Sequence, residues 1–506
     1  MSNLYRTETL RRIEGARLAR VPAGTLMHRA ASAVARSANQ MARTLPRATP
    51  IVGLIGPGNN GGDALLALSI LADQGFPVRA CALSTDEPGA QDARAVWQQW
   101  IARGGRLEPL ASLASLLAQC PLVIDGLFGI GLARPLRGDS AAAVIALAAT
   151  RSPVIAVDVP SGIDADRGCV VGGRDGVAVR ADVTVTMIGD KPGLHTGPAL
   201  DYVGRIELAS LEPTEAPPRG SAVAASEPEP APDGELFGRQ AAAALLGPRA
   251  LDTHKGSFGA VTVIGGATGT TGAALLAARG AQAAGAGKVF IASPDAPVFD
   301  PGQPQLMTRT LDHALDDADA VCIGCGLGVG EVARHALANA LRSSLVLVLD
   351  ADALNLIAAE PALARALRAR SAGAVLTPHP LEAARLLDCA AADVQADRVA
   401  SAVALAQRYR ATAVLKGAGT VVCDPASSWS IVGSGSPALA TAGSGDVLAG
   451  CIAALLAQGR APGEAARLGA WLHGHAAQRW QHAHPNGIGL SAAQLPDLLV
   501  QAANAS

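Results

Sequence analysis

The chain has 506 residues, longer than one compact domain ordinarily allows, so two or more domains are expected. Hydrophobic residues reach 49%, much of it alanine, aromatics only 3%, and there are 56 glycines; small side chains let helices lie close to sheets, which points to a soluble α/β protein. A net charge of −2 leaves no footprint for nucleic acid or an anionic membrane surface.

The first twenty residues, MSNLYRTETLRRIEGARLAR, mix charge throughout and lack an apolar stretch, so no secretory leader is expected. No run of about 18 apolar residues predicts a membrane span. The eight cysteines are scattered. Cys322 and Cys325 have CxxC spacing but no second pair or neighbouring histidines, and they read as small buried residues at a strand-to-loop turn rather than a zinc site. Reduced cysteines and a cytoplasmic location follow.

Short apolar, β-branched runs recur along the chain, end in glycine-rich turns and lead into alanine- and leucine-rich helical stretches. In the first half they include Ile51–Ile55, Leu122–Ile124, Val154–Val157 and Val183–Met187. In the second they include Val261–Ile264, Val321–Ile323, Val346–Leu349 and Val421–Val422. Such alternation predicts mainly parallel sheets covered on both faces, with ligands bound beyond the carboxyl ends of the strands. Between the halves, Leu211–Gly234 is rich in Pro, Glu, Ala and Ser and reads as a flexible linker, dividing the chain into domains 1–210 and 235–506.

In the first half, Ile51–Ile55 leads into GPGNNGGDA, whose glycines admit close backbone approach and whose Asn59, Asn60 and Asp63 supply polar groups ahead of a helix from about Ala64. The bland alternative is a tight turn. Two more strands end in acidic groups: Asp125 in VIDGLFGIGLARPLRG, and Asp158, Ser161 and Asp164 in VDVPSGIDAD. A lone strand-end Asp is often a helix cap, but three polar strand ends favour one shared site, and hard oxygen donors suit a hard cation.

These segments, with KPGLHTGPA, resemble in order the NAD(P)H-hydrate epimerase family. The resemblance implies a Rossmann-like domain in which Asn60, Asp125 and Ser161 hold potassium. It implies substrate contacts from Asn59, Asn60, Gly61, Gly62 and Asp63, from Gly129, Ile130, Gly131, Leu132, Ala133, Arg134 and Pro135, and from Asp158. Ala64 stands where the family has glycine, so its methyl is expected to narrow the loop. Hydration leaves a hydroxyl on the carbon beside the ring nitrogen. That centre is scrambled by proton-assisted ring opening or hydroxide loss, with Asp158 relaying the proton. Lys191 either joins that relay or neutralises phosphate.

In the second half, Val261–Ile264 runs into a Gly/Thr loop, GGATGTTG, a weak nucleotide signal alone. The stronger one is ATAGSGDVLAGCIAALL, where Gly443, Ser444 and Gly445 precede Asp446 at the start of a long apolar helix. Loop N–H groups and helix dipole form an anion hole, beside which an aspartate takes a proton from a hydroxyl being phosphorylated; the bland reading makes Asp446 an N-cap. Together with HKG, GGATG, TPHPLE and LKGAGT, this run resembles the ribokinase-like superfamily and, within it, the NAD(P)H-hydrate dehydratases.

That resemblance implies a three-layer αβα fold for this half as for the first. It implies nucleotide binding by Lys416, Gly417, Ala418, Gly419, Thr420 and Gly445, and contacts to the hydrated cofactor from Ala260, Gly326, His379 and Asp446, with Asp446 as base. It further implies Mg²⁺ on the phosphates, ADP as donor, hydrated NADH and NADPH as substrates, and a homo-oligomer. Cys325 replaces an expected proline, which would loosen its turn. His473 and His475 are expected to pack against core or loop. The competing readings are a ribokinase-like kinase for a vitamin precursor, which leaves the fused first half unexplained, and a non-enzymatic scaffold, against which the polar turns at Asn60, Asp125 and Asp158 argue.

Overall fold

The computed structural model describes residues 2–46, 49–212 and 229–504. They divide into two compact units, one of Asn3–Asp233 and the other of Gly234–Ser506 together with Met1–Ser2. The ends of the expected linker are held more firmly than its composition predicts. Leu211 is buried in the core of the first unit and its carbonyl accepts from Arg29 Nη1 at 2.8 Å. Glu229 pairs with Arg17 at 2.8 Å, the Asp233 carboxylate accepts from the Arg6 N–H, and Gly234 already opens a strand. Charge and apolar contacts at these ends outweigh the linker-like composition; the stretch 213–228 lies outside the described residues.

The first unit is built on seven parallel strands, ordered across the sheet as Leu107–Pro109, Val78–Ala82, Ile51–Ile55, Leu122–Gly126, Val154–Val157, Val183–Met187 and Arg205–Ala209. Strand order reverses between Ile51–Ile55 and Leu122–Gly126, and at such a switch point the loops part to leave a crevice. Alternate residues face opposite ways. Ile51, Ile55, Leu122 and Ile124 pack with the helices Thr25–Ala42 and Asn59–Asp73, whereas Val52, Leu54 and Val123 pack with Leu113–Leu117 and Gly138–Ala148. This is the expected Rossmann-like, three-layer arrangement.

In the second unit the strands from Gly234 onward follow the order Gly234–Phe237, Trp429–Val432, Val421–Cys423, Thr412–Leu415, Ala374–Leu376, Val346–Leu349, Ala320–Ile323, Ala260–Ile264, Lys288–Ala292 and Met307–Arg309. All neighbours are parallel except Val421–Cys423, which runs antiparallel to both of its partners. It departs from the parallel expectation because only the short loop Lys416–Thr420 joins it to Thr412–Leu415, and a parallel return needs a crossover. One face carries the helices Thr271–Ala283, Ser444–Ala457, Pro462–Ala483 and Leu495–Asn504.

The alanine and glycine content acquires a structural reason here. Thr271–Ala283 and Ser444–Ala457 touch backbone to backbone: a Cβ on Gly450 would stand 1.8 Å from the Ala277 carbonyl oxygen, and one on Gly280 2.4 Å from that of Val447. Gly450→Val should therefore force the helices apart and destabilise this unit by at least the about 1–3 kcal/mol typical of overpacking. Thermal unfolding would show it, and an unchanged midpoint would mean the helices do not meet there.

Candidate active sites

At the switch point of the first unit, Asp125 closes its strand fully buried and without a cationic partner among the described residues. Its Oδ2 accepts from the Ser161 N–H at 2.8 Å, and its Oδ1 accepts from Ser161 Oγ at 2.7 Å and Leu127 N–H at 3.2 Å. Burial pushes its pKa up to about 6 against these hydrogen bonds. Ser161 Oγ also accepts from the Phe128 N–H at 2.9 Å. Asn60 borders the next loop: its Oδ1 lies 3.1 Å from where a Cβ on Gly129 would stand, and its Nδ2 is buried with no hydrogen-bond partner among the described residues.

Asp158 follows Val154–Val157 with φ +67°. Its Oδ1 is held by the Lys191 ammonium at 2.7 Å and the Met187 N–H at 3.0 Å. Lys191 is 1% exposed and also donates to Thr186 Oγ1 and the Met187 and Gly189 carbonyls, so it is committed to the protein. Asp158 and Lys191 open onto a cleft of about 410 Å³, lined also by Asn59, Asn60, Asp63 and the Gly129–Leu132 loop. Asp63 holds its proton well above the usual carboxylate range because of burial first and the charges of Asp158 and Glu14 next. Lys191→Met strands Asp158 without its charge partner. It should abolish epimerisation while leaving dehydration near wild type, because removing one member of a buried pair typically costs about 3–5 kcal/mol locally. Epimer ratios followed by chromatography test this; wild-type interconversion would contradict it.

In the second unit the polar groups lie at the carboxyl ends of parallel strands, as such sheets require. Asp350, 2% exposed after Val346–Leu349, accepts at Oδ1 from Lys416 Nζ at 2.7 Å and Thr377 Oγ1 at 2.8 Å. Burial works against the Lys416 ammonium, but Asp350 and Glu382 outweigh it and raise its pKa. Gly445 borders the pair, since a Cβ there would stand 3.2 Å from Lys416 Nζ. Asp446, two residues into Ser444–Ala457, has its pKa raised to about 6 by burial and then by the charge of Asp350. Gly443 takes the N-cap position with φ +86°, so Asp446 is not the N-cap. Cys325, Asp350 and Asp446 come within 4.8 Å of one another, but the cation against Asp350 is Lys416.

His379 caps Pro380–Leu387. Its Nδ1 accepts from the Leu381 and Glu382 N–H groups at 3.1 and 3.3 Å, while Glu382 Oε2 accepts from the His379 N–H at 2.8 Å. Burial and then Lys416 lower its pKa, so the ring is neutral near pH 7.

Residues 261–499 match the family described as NAD(P)H-hydrate dehydratase, and residues 23–193 match the YjeF-related protein N-terminus. The bifunctional NAD(P)H-hydrate repair enzyme Nnr of Escherichia coli (strain K12) is 36% identical over 432 residues, 84% of this chain and 79% of that protein. Its namesake in Coxiella burnetii is 35% identical over 495 residues, 95% of each. The chain belongs to the bifunctional NAD(P)H-hydrate repair enzymes. A crystal structure of the ADP/ATP-dependent NAD(P)H-hydrate dehydratase from Bacillus subtilis with ATP/Mg²⁺ is 28% identical, with a TM-score of 0.48 over 53% of this chain and 97% of that one.

Membership of the repair enzymes accounts for two polar sites in one chain, and the structure sorts the residues expected in them. The helix after Ile51–Ile55 starts at Asn59, not near Ala64, so Asn59–Asp63 form its first turn. Gly61 and Gly62 do not line the cleft: Cβ atoms there would meet the Gly56 carbonyl at 2.0 Å and Met27 at 2.9 Å. Ala133, Arg134 and Pro135 also lie outside the lining, Pro135 packing on Gly172. Ala64 does not narrow the ligand's approach, for it is fully buried with its methyl turned to Gly126.

In the other half, Gly326, His379, Lys416, Gly445 and Asp446 sit on loops or a helix start at the carboxyl edge of the sheet. Ala260 does not: it begins its strand, 3% exposed, with its N–H on Asp319. Gly326 has φ +62° and gives its carbonyl to Ala267 N–H and Thr270 Oγ1, tying its loop to GGATG. Cys325 does more than fill a turn, its buried Sγ lying 4.0 Å from both Cys322 Sγ and Asp350 Oδ2. His473 and His475 pack as expected, the former 7% exposed and the latter stacked on Trp471. Sequence reasoning missed Asp350, although it closes an apolar strand as Asp125 does. It also missed Arg398, 1% exposed, which donates to the Leu415 and Lys416 carbonyls and braces the Lys416–Thr420 loop.

Proposed function

We propose that residues 1–210 interconvert the R and S hydrates of NADH and NADPH, and that 235–506, beyond the segment 211–234, dehydrate the S form with ADP, giving NAD(P)H, AMP and phosphate. The observation that carries this reading is Asp446: a half-buried carboxyl, with its pKa raised to about 6, at the start of a helix whose free N–H groups and neighbouring Lys416 favour a phosphoryl group.

Asp446 takes the proton of the ring hydroxyl as its oxygen attacks the β-phosphorus of ADP, and AMP leaves. The C–O bond then breaks, phosphate departs with the electron pair, a proton leaves the adjacent carbon, and the ring double bond is restored. Lys416 Nζ, fixed by Asp350, faces the phosphates, and the Lys416–Thr420 loop and Gly445 carry the nucleotide. Mg²⁺ on those phosphates would neutralise charge developing in the transfer.

In the epimerase half, Asp63 keeps a proton to give to the departing hydroxyl, and Asp158, oriented by Lys191, accepts one on the return. Asn60, Asp125 and Ser161 suit potassium. Their donors are hard oxygens, and Asp125 is a buried carboxylate that no cationic side chain among the described residues neutralises within 4 Å. The decisive experiment incubates the protein with chemically hydrated NADH and either ADP or ATP. Return of NADH absorbance, with both epimers consumed, is expected; no nucleotide-dependent return would refute the reading.

A further inference from the structure

The substrate of the epimerase half is a dinucleotide, so it brings at least two phosphate charges to its cleft. Yet among the described residues the carboxyl-bearing ones lining that cleft are Glu14, Asp63, Asp92 and Asp158, and the basic ones only Lys191 and Arg11. Lys191 is spent on Asp158, Thr186 and two carbonyls. Arg11 makes no hydrogen bond or ion pair within 4 Å among the described residues. It stands on the helix Thr7–Leu18, exposed at the rim, with Nη2 4.0 Å from where a Cβ on Gly131 would stand. Gly131 belongs to the loop whose backbone lines the cleft.

We propose that Arg11 is the phosphate anchor of the epimerase site, its guanidinium taking the pyrophosphate of the hydrated dinucleotide against the Gly129–Leu132 loop. An anion entering an acidic cleft needs an uncommitted cation, and a planar guanidinium meets phosphate oxygens two at a time. Two neighbours fit this role. Glu14, one turn along the same helix, closes no ion pair on Arg11 among the described residues, and burial and then Asp158 raise its pKa, which weakens its competition for the guanidinium. Arg134, the other arginine near the loop, lies outside the lining. Both the NADH and NADPH forms carry the pyrophosphate, so Arg11 serves both; a contact to the additional 2′-phosphate would serve only one.

The inference rests on the epimerase reading of this unit, and the test separates the two. With ADP omitted, so that dehydration is silent, initial rates of R-to-S conversion are followed by chromatography for hydrated NADH and hydrated NADPH, using the full chain. Arg11→Ala should raise KM about 10- to 100-fold for both substrates, the loss expected for a hydrogen bond to a charged group, with kcat little changed. Arg11→Lys should recover part of that loss, and Arg12→Ala, exposed on the same helix and outside the cleft lining, should leave KM unchanged. Far-UV circular dichroism and thermal unfolding of each variant report that the unit carrying Arg11 is folded. A loss confined to hydrated NADPH would overturn the pyrophosphate assignment, as would a KM rise in Arg12→Ala in place of Arg11→Ala. A fall in kcat at constant KM would overturn the anchoring role. Wild-type protein without epimerisation would remove the epimerase reading itself, whereas active wild type with unaffected Arg11→Ala would remove only the anchor.

Discussion

Asp446→Asn should slow ADP-dependent repair by about 10²- to 10⁴-fold, the usual worth of general-base help, while hydrate epimers continue to interconvert. The substitution keeps the side chain's size and removes only the proton acceptor. The wild-type rate should fall as pH descends through about 6, where the carboxylate is lost, and the variant's residual rate should lack that limb. Stability should move the other way. A folded-state pKa raised above the unfolded value means the native protein binds the proton more tightly, so this group's contribution is full below the ordinary carboxylate range and lost as pH rises through about 6. Asparagine has no such loss, so the variant should gain in melting temperature over wild type at pH 8 more than at pH 5. Epimer ratios and NADH recovery from one tube decide the assignment: repair at the wild-type rate refutes it, and simultaneous loss of epimerisation refutes the division of labour between the halves.

The second large effect is expected at Asp125. Asp125→Ala removes the acceptor of two N–H groups and the Ser161 hydroxyl inside a buried cluster, and each stranded donor costs about 1–3 kcal/mol. Epimerisation should disappear. Asp125→Asn keeps the size and one acceptor oxygen but loses the charge and turns the other acceptor into a donor, so far-UV circular dichroism of both variants separates loss of the site from loss of the fold. For the proposed potassium site, wild-type epimerisation and melting temperature should both rise when choline is exchanged for potassium, and Asp125→Asn should respond to neither. A potassium response of wild-type size in Asp125→Asn would exclude this carboxylate as the cation's ligand.

The eight apolar runs read from the sequence all fall within strands, and Asp125 and Asp158 close or directly follow two of them, because in a buried parallel sheet hydrophobicity and its interruption mark both strand and site; Lys416 follows a further strand, Thr412–Leu415, and Asp446 opens a helix. Less visible were features that depend on what the chain meets in space. Asn59–Asp63 look like a turn because glycine pairs usually are one, yet here the glycines lie within a helix pressed too closely on Gly56 and Met27 for any side chain. Asp350 carried the same strand-end signal as Asp125 but lacked flanking glycines to draw attention to it. Arg11 and Arg398 gave no local signal, since one matters through the cleft it borders and the other through carbonyls 17 and 18 residues away.

The contact of Gly280 and Gly450 also bears on how this chain tolerates sequence change. Asp446 rides on a helix whose position is set by main-chain atoms meeting main-chain atoms, which are the same in every residue. A catalytic group located by interlocking side chains drifts whenever one of them changes volume; one located by touching backbones does not. Neighbouring core positions such as Ala274, Ala278 and Ala453 can therefore vary within the small residues without moving the base, whereas the two glycines have no substitute. Mutational tolerance along these helices should accordingly be sharply bimodal, and a core so poor in large side chains can still hold a catalytic group in place.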